Sequence, residues 1–487
     1  MKVKSFLLEN RTTRQTVAKN SVWMALGQIG GRLLRAVIIV YAARVLGAAG
    51  WGTFSYAVSL AALLTIFVDL GIGPILTRET AKTTDPRLRS KILSTAFFVK
   101  VALMTVAVLV VIFIAPLFTK IEAAKGIFTI VALIFIFDTL REFGFSLTRA
   151  LERMEWEAGL FILTNVAIVA AGFLTLAATQ TVKAFALAYA IGTGVGTAAT
   201  VYVLRHHIRK ILVDFERKLV RPILTAGWPI AVSGILGGLM INTDLLFIGF
   251  FRSAEEVGYY SVAERIIMLL YLIPGVLASS IFPAFSRLAA SGDGEKVRGG
   301  LERVLSITLA VAIPITLVGI ILAPGIIETL FGASYLPATN SFRVLLLALV
   351  FTFPTAILSN TLFAYNRQKS LITFALIGGI GNVVFDLLLI PRFGIIGSAI
   401  ATLIAQGVSN LYLWGQVKRV SRFRVLPHLK KIAPAALLVG ATVWLLALTN
   451  LHPLIILALA PPLYLALLYR LEEPLLKEIK LIRQALA

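Results

Sequence analysis

ILSTAFFVKVALMTVAVLVVIFIAPLF, residues 92–118, carries a single ionisable side chain, Lys100, in its whole length. As a helix this stretch rises about 40 Å, enough to cross the roughly 30 Å hydrocarbon core of a bilayer with some tilt. In water it would have no polar face to present, so its reading decides the solvent: the chain folds in a membrane. Comparable runs bounded by charge, Gly or Pro recur near 19–45, 52–75, 126–148, 157–178, 182–204, 222–251, 257–285, 304–326, 341–365, 370–390, 395–416, 432–449 and 453–469. Together they predict an all-α membrane protein of about fourteen spans. Composition agrees, at 58% hydrophobic, 14% charged and a mean hydropathy of +0.90. No polar stretch is long enough for a soluble catalytic domain, and the absence of cysteine excludes disulfides, thiolate metal sites and cysteine nucleophiles.

The net charge of +22 points to nucleic acid only if the basic residues cluster with aromatics, and they do not. With the N-terminus placed in the cytoplasm, 34 of the 46 Lys and Arg fall in inside segments, and six (Arg44, Lys120, Lys125, Lys183, Arg252 and Arg392) fall outside. That loop-by-loop alternation is the positive-inside pattern. It predicts an even number of spans, both termini cytoplasmic and a multi-pass protein of the cytoplasmic membrane. The basic loops Arg205 to Arg221 and Lys418 to Lys431 then face anionic inner-leaflet lipid, worth about 1 kcal/mol per charge. The first apolar segment is too long, and carries Arg32 and Arg35, for a cleaved signal peptide. The sequon at Asn10 lies on the inside by the same charge pattern and is expected to stay unmodified.

Trp51-Gly52-Thr53-Phe54-Ser55-Tyr56-Ala57 aligns with Val257-Gly258-Tyr259-Tyr260-Ser261-Val262-Ala263 at an offset of 206 residues, with eleven identities over 21–75 against 227–281. An offset that spans six helices preserves orientation, so the halves are expected to be parallel repeats about an axis along the membrane normal. The expected organisation is an N-terminal lobe at 1–215, a C-terminal lobe at 216–426, and two further spans with a tail at 427–487. Gly27/Gly31, Gly234/Gly238 and Gly192/Gly196 are small-residue pairs that let helices approach. Gly192-x-Gly194-x-Gly196 is read as packing rather than as a nucleotide loop, and no P-loop sequence occurs.

Ionisable residues inside spans cost about 2.5 to 3.5 kcal/mol each at the helix centre, so each needs a partner, a cavity or an interface. Gln28, Arg32 and Arg35 fall at i, i+4 and i+7 on one helix face, with Arg32 about 20 Å from the inner end. They form either a site for an anionic headgroup, since guanidinium forks match phosphate oxygens, or internal salt bridges to an acid such as Asp69. Arg265 neighbours Glu264 and divides between the same two readings. Asp138, Arg141 and Glu142 share a face and are read as neutralising one another locally. Lys100 and Arg343 are read as snorkelling toward helix ends. Asp69, Asp244 and Asp386 have no adjacent cation, and either bind H+ or Na+ or partner the arginines. Gly71, Gly73 and Pro74, or Pro314, are candidate bending points.

Several of these stretches resemble a known family. Arg44-Val-Leu-Gly47-Ala-Ala-Gly50-Trp51-Gly52-Thr-Phe-Ser55-Tyr56, followed by Asp69-Leu-Gly71-Ile-Gly73 and Arg78-Glu79, resembles the N-terminal signature of polysaccharide-transporter flippases. Trp228-Pro229, Asp244 and Gly258-Tyr259-Tyr260-Ser261 resemble the opening of their second lobe. Ile390-Pro391-Arg-Phe393-Gly394-Ile-Ile-Gly397-Ser-Ala-Ile-Ala401-Thr402 resembles their eleventh-to-twelfth-span junction. The resemblance implies the multidrug/oligosaccharidyl-lipid/polysaccharide superfamily, two six-helix lobes facing a central cavity, and alternating access. It implies a non-enzymatic flippase that moves polyprenyl-pyrophosphate-linked oligosaccharide from the inner to the outer leaflet as a monomer without a cofactor. Arg32 and Arg35 stand where related lipid II flippases carry essential first-helix arginines. A cation-coupled drug antiporter or a lipid II flippase of the same superfamily is the alternative.

Overall fold

The computed structural model describes residues 13–83, 85–278, 294–449 and 451–470. The sequon at Asn10 and the tail beyond residue 470 lie outside these residues. Among the described residues every regular element is helical, as a chain in lipid requires: a helix satisfies all its backbone groups within one segment. Fourteen longer helices follow one another: α1 Thr13–Asp69, α2 Ile72–Lys82, α3 Pro86–Leu109, α4 Phe128–Ala150, α5 Met154–Ala178, α6 Val182–Ile211, α7 Arg217–Phe251, α8 Ala254–Leu270, α9 Gly294–Phe331, α10 Thr339–Thr352, α11 Thr355–Ala364, α12 Gln368–Val420, α13 Leu426–Ala447 and α14 Pro453–Arg470.

Ten helical stretches are long and apolar enough to cross a membrane. Two of them hold two crossings each, because α1 folds at Gly47 (φ 68°) and α12 at Gly394 (φ 58°), left-handed conformations that glycine adopts without steric cost. The segment 432–447 adds a crossing, and so does α4, whose Asp138, Arg141 and Glu142 lower its hydropathy without ending the helix. Fourteen crossings result among the described residues, as the apolar pattern predicts. Helix ends follow local chemistry: the Asp85 carboxylate accepts from the Arg87 N–H at 2.9 Å and Pro86 opens α3. Hydroxyls inside the membrane are satisfied on their own helix, as where Thr164, Thr200 and Thr308 donate to carbonyls four residues back at 2.7 to 2.8 Å.

The chain divides into two compact units, Met1–Gly258 and Tyr259–Ala487. In the first, the ends of α2, α3, α4 and α6 close over a core of Ile72, Leu76, Leu93, Phe143, Leu147, Leu204 and Ile211. The small-residue pairs of the sequence serve packing there. A Cβ at Gly27 would stand 2.9 Å from Ala158, and one at Gly192 would stand 2.6 Å from the backbone of Ile168. The linker at the start of α7 is pinned by Glu216. Its backbone N–H donates to the Thr95 hydroxyl at 3.1 Å, and Lys91, 3.2 Å from its carboxylate, holds that acid below the usual carboxylate range. In the second unit α9 is the central helix, and Leu301, Leu305, Leu358, Leu413 and Val417 form its main core.

One contact inside the first unit repeats itself. A Cβ at Gly52 would overlap the carbonyl of Ala254, and a Cβ at Gly258 would overlap the carbonyl of Ala48. Both pairs are related by the 206-residue offset, so the sequence repeat is expressed as a reciprocal backbone contact between the mid-region of α1 and the opening turn of α8.

Candidate functional site

Three polar side chains of the first span are set by how α1 meets α5. Gly27 and Gly31 give one side of α1 to Ala158 and Phe161 of α5; Arg35 reaches the same helix, whereas Arg32 is exposed. Arg35 is half-buried and fully engaged. Its Nε donates to Asn165 Oδ1 at 2.8 Å, and its guanidinium sits 6.0 Å from the Phe161 ring and 5.8 Å from the Tyr189 ring. Asn165, itself buried, donates onward to the Phe161 carbonyl at 2.7 Å. Arg32, one turn nearer the N-terminus, is exposed and makes no ion pair or hydrogen bond with any described residue; its guanidinium and that of Arg35 repel each other. Gln28 is half-exposed on the same side.

The internal salt bridge to Asp69 is therefore not made. Asp69 pairs with Lys100 instead, Nζ to Oδ1 at 2.7 Å. This corrects the snorkelling reading of Lys100: its side chain is 5% exposed and spans the distance to α1 rather than reaching for a helix end. Arg343 behaves in between, its Nε donating to the Ile320 carbonyl at 3.1 Å. On α4 only two of the three charges neutralise each other, Arg141 Nη1 lying 2.7 Å from Asp138. Glu142 stays apart and lines a cavity of ≈ 330 Å³ together with Asp69, Lys100, Ser146 and Arg149. Lys100→Met should leave the Asp69 carboxylate without its partner, at a cost on the order of 2 kcal/mol given that Asp69 is a third exposed. Thermal unfolding of the detergent-solubilised variant measures this, and adding Asp69→Asn should restore most of the loss.

The remaining predicted residues fall as follows. Asp244 is buried in α7 of the first unit. Asp386 is fully buried in the second unit, accepting from Asn382 Nδ2 at 3.0 Å and from Ser398 Oγ at 3.1 Å. The fold of α12 at Gly394 is what returns Ser398 to a residue twelve positions earlier. Arg265 is half-buried in α8; its Nε has no hydrogen-bond partner, and Nη1 lies 4.0 Å from the Met268 sulfur. Among the described residues no three His, Cys, Asp or Glu side chains are grouped to hold a metal ion. The second unit also contains an apolar cavity of ≈ 550 Å³ between α8, α9, α10, α13 and α14, bordered by Ile266, Pro314, Phe342, Val439 and Pro461. Sequence reasoning missed Asn165, whose role depends on a helix 130 residues away. Asn382, one turn from Asp386, was legible as a partner on the same face.

Known proteins resemble this chain in sequence and in fold. Residues 17–289 match the model of the polysaccharide biosynthesis protein family, and residues 229–388 match the MatE family. The probable low-salt glycan biosynthesis flippase Agl15 of Haloferax volcanii is 23% identical over 81% of this chain and 82% of its own length. The putative O-antigen transporter of Shigella flexneri is 23% identical over 79% of this chain and 94% of its own length. Among solved structures, lipid II flippase MurJ in an inward closed conformation superposes with a TM-score of 0.81 at 20% identity, covering 93% of this chain and all of that one. The family model spans more than half of the chain and the two relatives span most of it, so the chain belongs to the polysaccharide biosynthesis protein family of the multidrug/oligosaccharidyl-lipid/polysaccharide flippase superfamily.

Proposed function

We propose that this protein is a flippase for polyprenyl-pyrophosphate-linked oligosaccharide, working by alternating access without chemistry on its substrate. The observation that carries the reading is Arg32: a guanidinium deep in the first span with no acid on it, beside an Arg35 already held by Asn165 and two rings. An unneutralised cation pair at that depth is costly, and a pyrophosphate supplies the missing charge through bidentate, charge-assisted hydrogen bonds. Relatives that carry flippase and O-antigen transporter names support the same substrate class. The apolar cavity of the second unit has the chemistry of an isoprenoid chain.

The protein then sits in the cytoplasmic membrane with both termini inside, as two six-span lobes (1–215 and 216–426) followed by 427–487, and functions as a monomer. Its basic segments Arg205 to Arg221 and Lys418 to Lys431, helix ends and the short connections between them, lie on anionic lipid. Arg265, in the second unit, is a further candidate cation for the substrate, and Asp244 and Asp386 are the candidates for H+ or Na+ coupling. An inside-negative potential favours outward movement of an anion by about 2.3 kcal/mol per charge per 100 mV. Reconstituted protein should therefore flip a headgroup-labelled polyprenyl-pyrophosphate oligosaccharide, and faster when a potential drives anions outward. No flipping, together with uptake of a cationic dye under a proton or sodium gradient, would replace this reading with the antiporter that the MatE match over 229–388 also fits.

A further inference from the structure

The cavity of the first unit holds a set of charges that does not balance. Two cations border it and a third, Arg141, neighbours Glu142 on α4; each is matched to one acid: Lys100 to Asp69 at 2.7 Å, Arg141 to Asp138 at 2.7 Å, and Arg149 to Glu157 at 2.9 Å. Glu142 is the acid left over. Its carboxylate makes no ion pair or hydrogen bond with any described residue, although its backbone carbonyl accepts from Ser146 Oγ at 3.1 Å. The charged groups around it are Asp138, Arg141 and Arg149 of its own helix and Lys100 of α3. Asp69 of α1 borders the same cavity, and Glu157 of α5 is occupied by Arg149.

We propose that this cavity is a proton-binding site and that Glu142 is the group that takes the proton. An unmatched carboxylate this far inside a membrane helix is met either by a proton or by a bound cation. The lining decides between them. The cavity measures ≈ 330 Å³, so its charges rather than its size select the ligand. A sodium ion would need several oxygens free of neighbouring cations, and one of the two carboxylates in the lining, that of Asp69, is already held by Lys100 at 2.7 Å. The ammonium of Lys100 and the guanidinium of Arg149 border the same space and repel a metal ion. A proton needs no coordination shell and only one oxygen.

The site also abuts a break in the backbone. Asp69 is the last residue of α1, followed by Leu70 at φ 40° and Gly71 at φ 73° before α2 begins. Leu70 is a non-glycine residue in the left-handed region, a strained conformation that packing must hold. The holding contact is backbone to backbone: a Cβ on Gly71 would stand 2.5 Å from the Gly227 carbonyl, and one on Gly227 would stand 2.6 Å from the Leu70 carbonyl. Lys100 borders the cavity together with both acids and is paired with Asp69 at 2.7 Å. Ionised, Glu142 competes with Asp69 for that ammonium; protonated, it releases Lys100 to Asp69 and to the break that Asp69 terminates. The proton is thereby coupled to the junction of α1, α2 and α7.

This proposal rests on the flippase reading for its purpose, while its binding test needs no substrate. Infrared difference spectra of the purified protein between mildly acidic and mildly alkaline pH should contain a protonated-carboxyl C=O band that disappears in Glu142→Gln and persists in Asp69→Asn. A band unchanged in Glu142→Gln overturns the assignment, and so does a response that follows sodium and ignores pH. Should Glu142→Gln fail to fold, Glu142→Asp is expected to keep the band with a displaced titration midpoint, and an unmoved midpoint counts equally against the site. In proteoliposomes the pH dependence of flipping should flatten in Glu142→Gln. Absence of flipping by the wild type refutes the functional reading and leaves the infrared result standing by itself.

Discussion

Arg32→Ala should lower the flipping rate by about 10- to 100-fold, with the protein still inserted and folded. The magnitude is that of losing one hydrogen-bonded contact to a charged group, about 1.5 to 3 kcal/mol, at about 1.4 kcal/mol per factor of ten. Folding is expected to be unaffected because Arg32 has no partner among the described residues and is exposed. Arg35→Ala should behave differently. It removes the partner of Asn165 Oδ1 and the cation between Phe161 and Tyr189, so it should lower the melting temperature as well as transport. Headgroup-labelled substrate in proteoliposomes, paired with thermal unfolding in detergent, separates the two. Equal rates for Arg32→Ala and wild type would remove Arg32 from the site. Arg32→Lys should retain part of the activity, since an ammonium keeps the charge and loses the bidentate fork.

Gly52→Val, or Gly258→Val, should be as damaging for a steric reason. Each added Cβ points into a backbone carbonyl, of Ala254 or of Ala48, and a carbonyl cannot rotate away as a side chain does. Overpacking of this kind costs about 1 to 3 kcal/mol where neighbours can give, and the rigid neighbours here place it at the upper end. At about 3 kcal/mol the close approach of α1 to the opening turn of α8 falls in population by roughly 100-fold, and flipping with it if the cycle passes through that state. The chain has no cysteine, so a short cross-linker between cysteines placed at Ala48 and Ala254 reads this contact directly. Its yield should collapse in either valine variant, and an undiminished yield would show that the contact is not restrictive.

How much of this was legible beforehand differs from residue to residue. The fourteen crossings were readable because hydrophobicity is a local property, summed along each helix against a bilayer of known thickness. The repeat was readable as eleven identities at an offset of 206, but the reciprocal contact inside the first unit, Gly52 under the Ala254 carbonyl and Gly258 under that of Ala48, was not. Lys100 illustrates the limit. Counting residues gives its depth and suggests snorkelling, yet its fate was set by Asp69, on another helix and 31 positions earlier. Asp386 and Ser398 likewise meet only because glycine lets α12 fold at Gly394.

The sequence alone determined the solvent, the helical class, the number of crossings, the family resemblance and which charged residues lie inside the membrane. Each follows from composition, period or local motif. Tertiary structure decided which of those charges neutralise one another: Lys100 with Asp69, Arg141 with Asp138, Arg149 with Glu157, Arg35 on Asn165, and Arg32 and Glu142 left without partners among the described residues. The physical reason is range. Burying a helix depends on its own side chains, whereas an ion pair in a low-dielectric interior forms only within a few ångströms, and which helices come that close is settled by the packing of the whole unit.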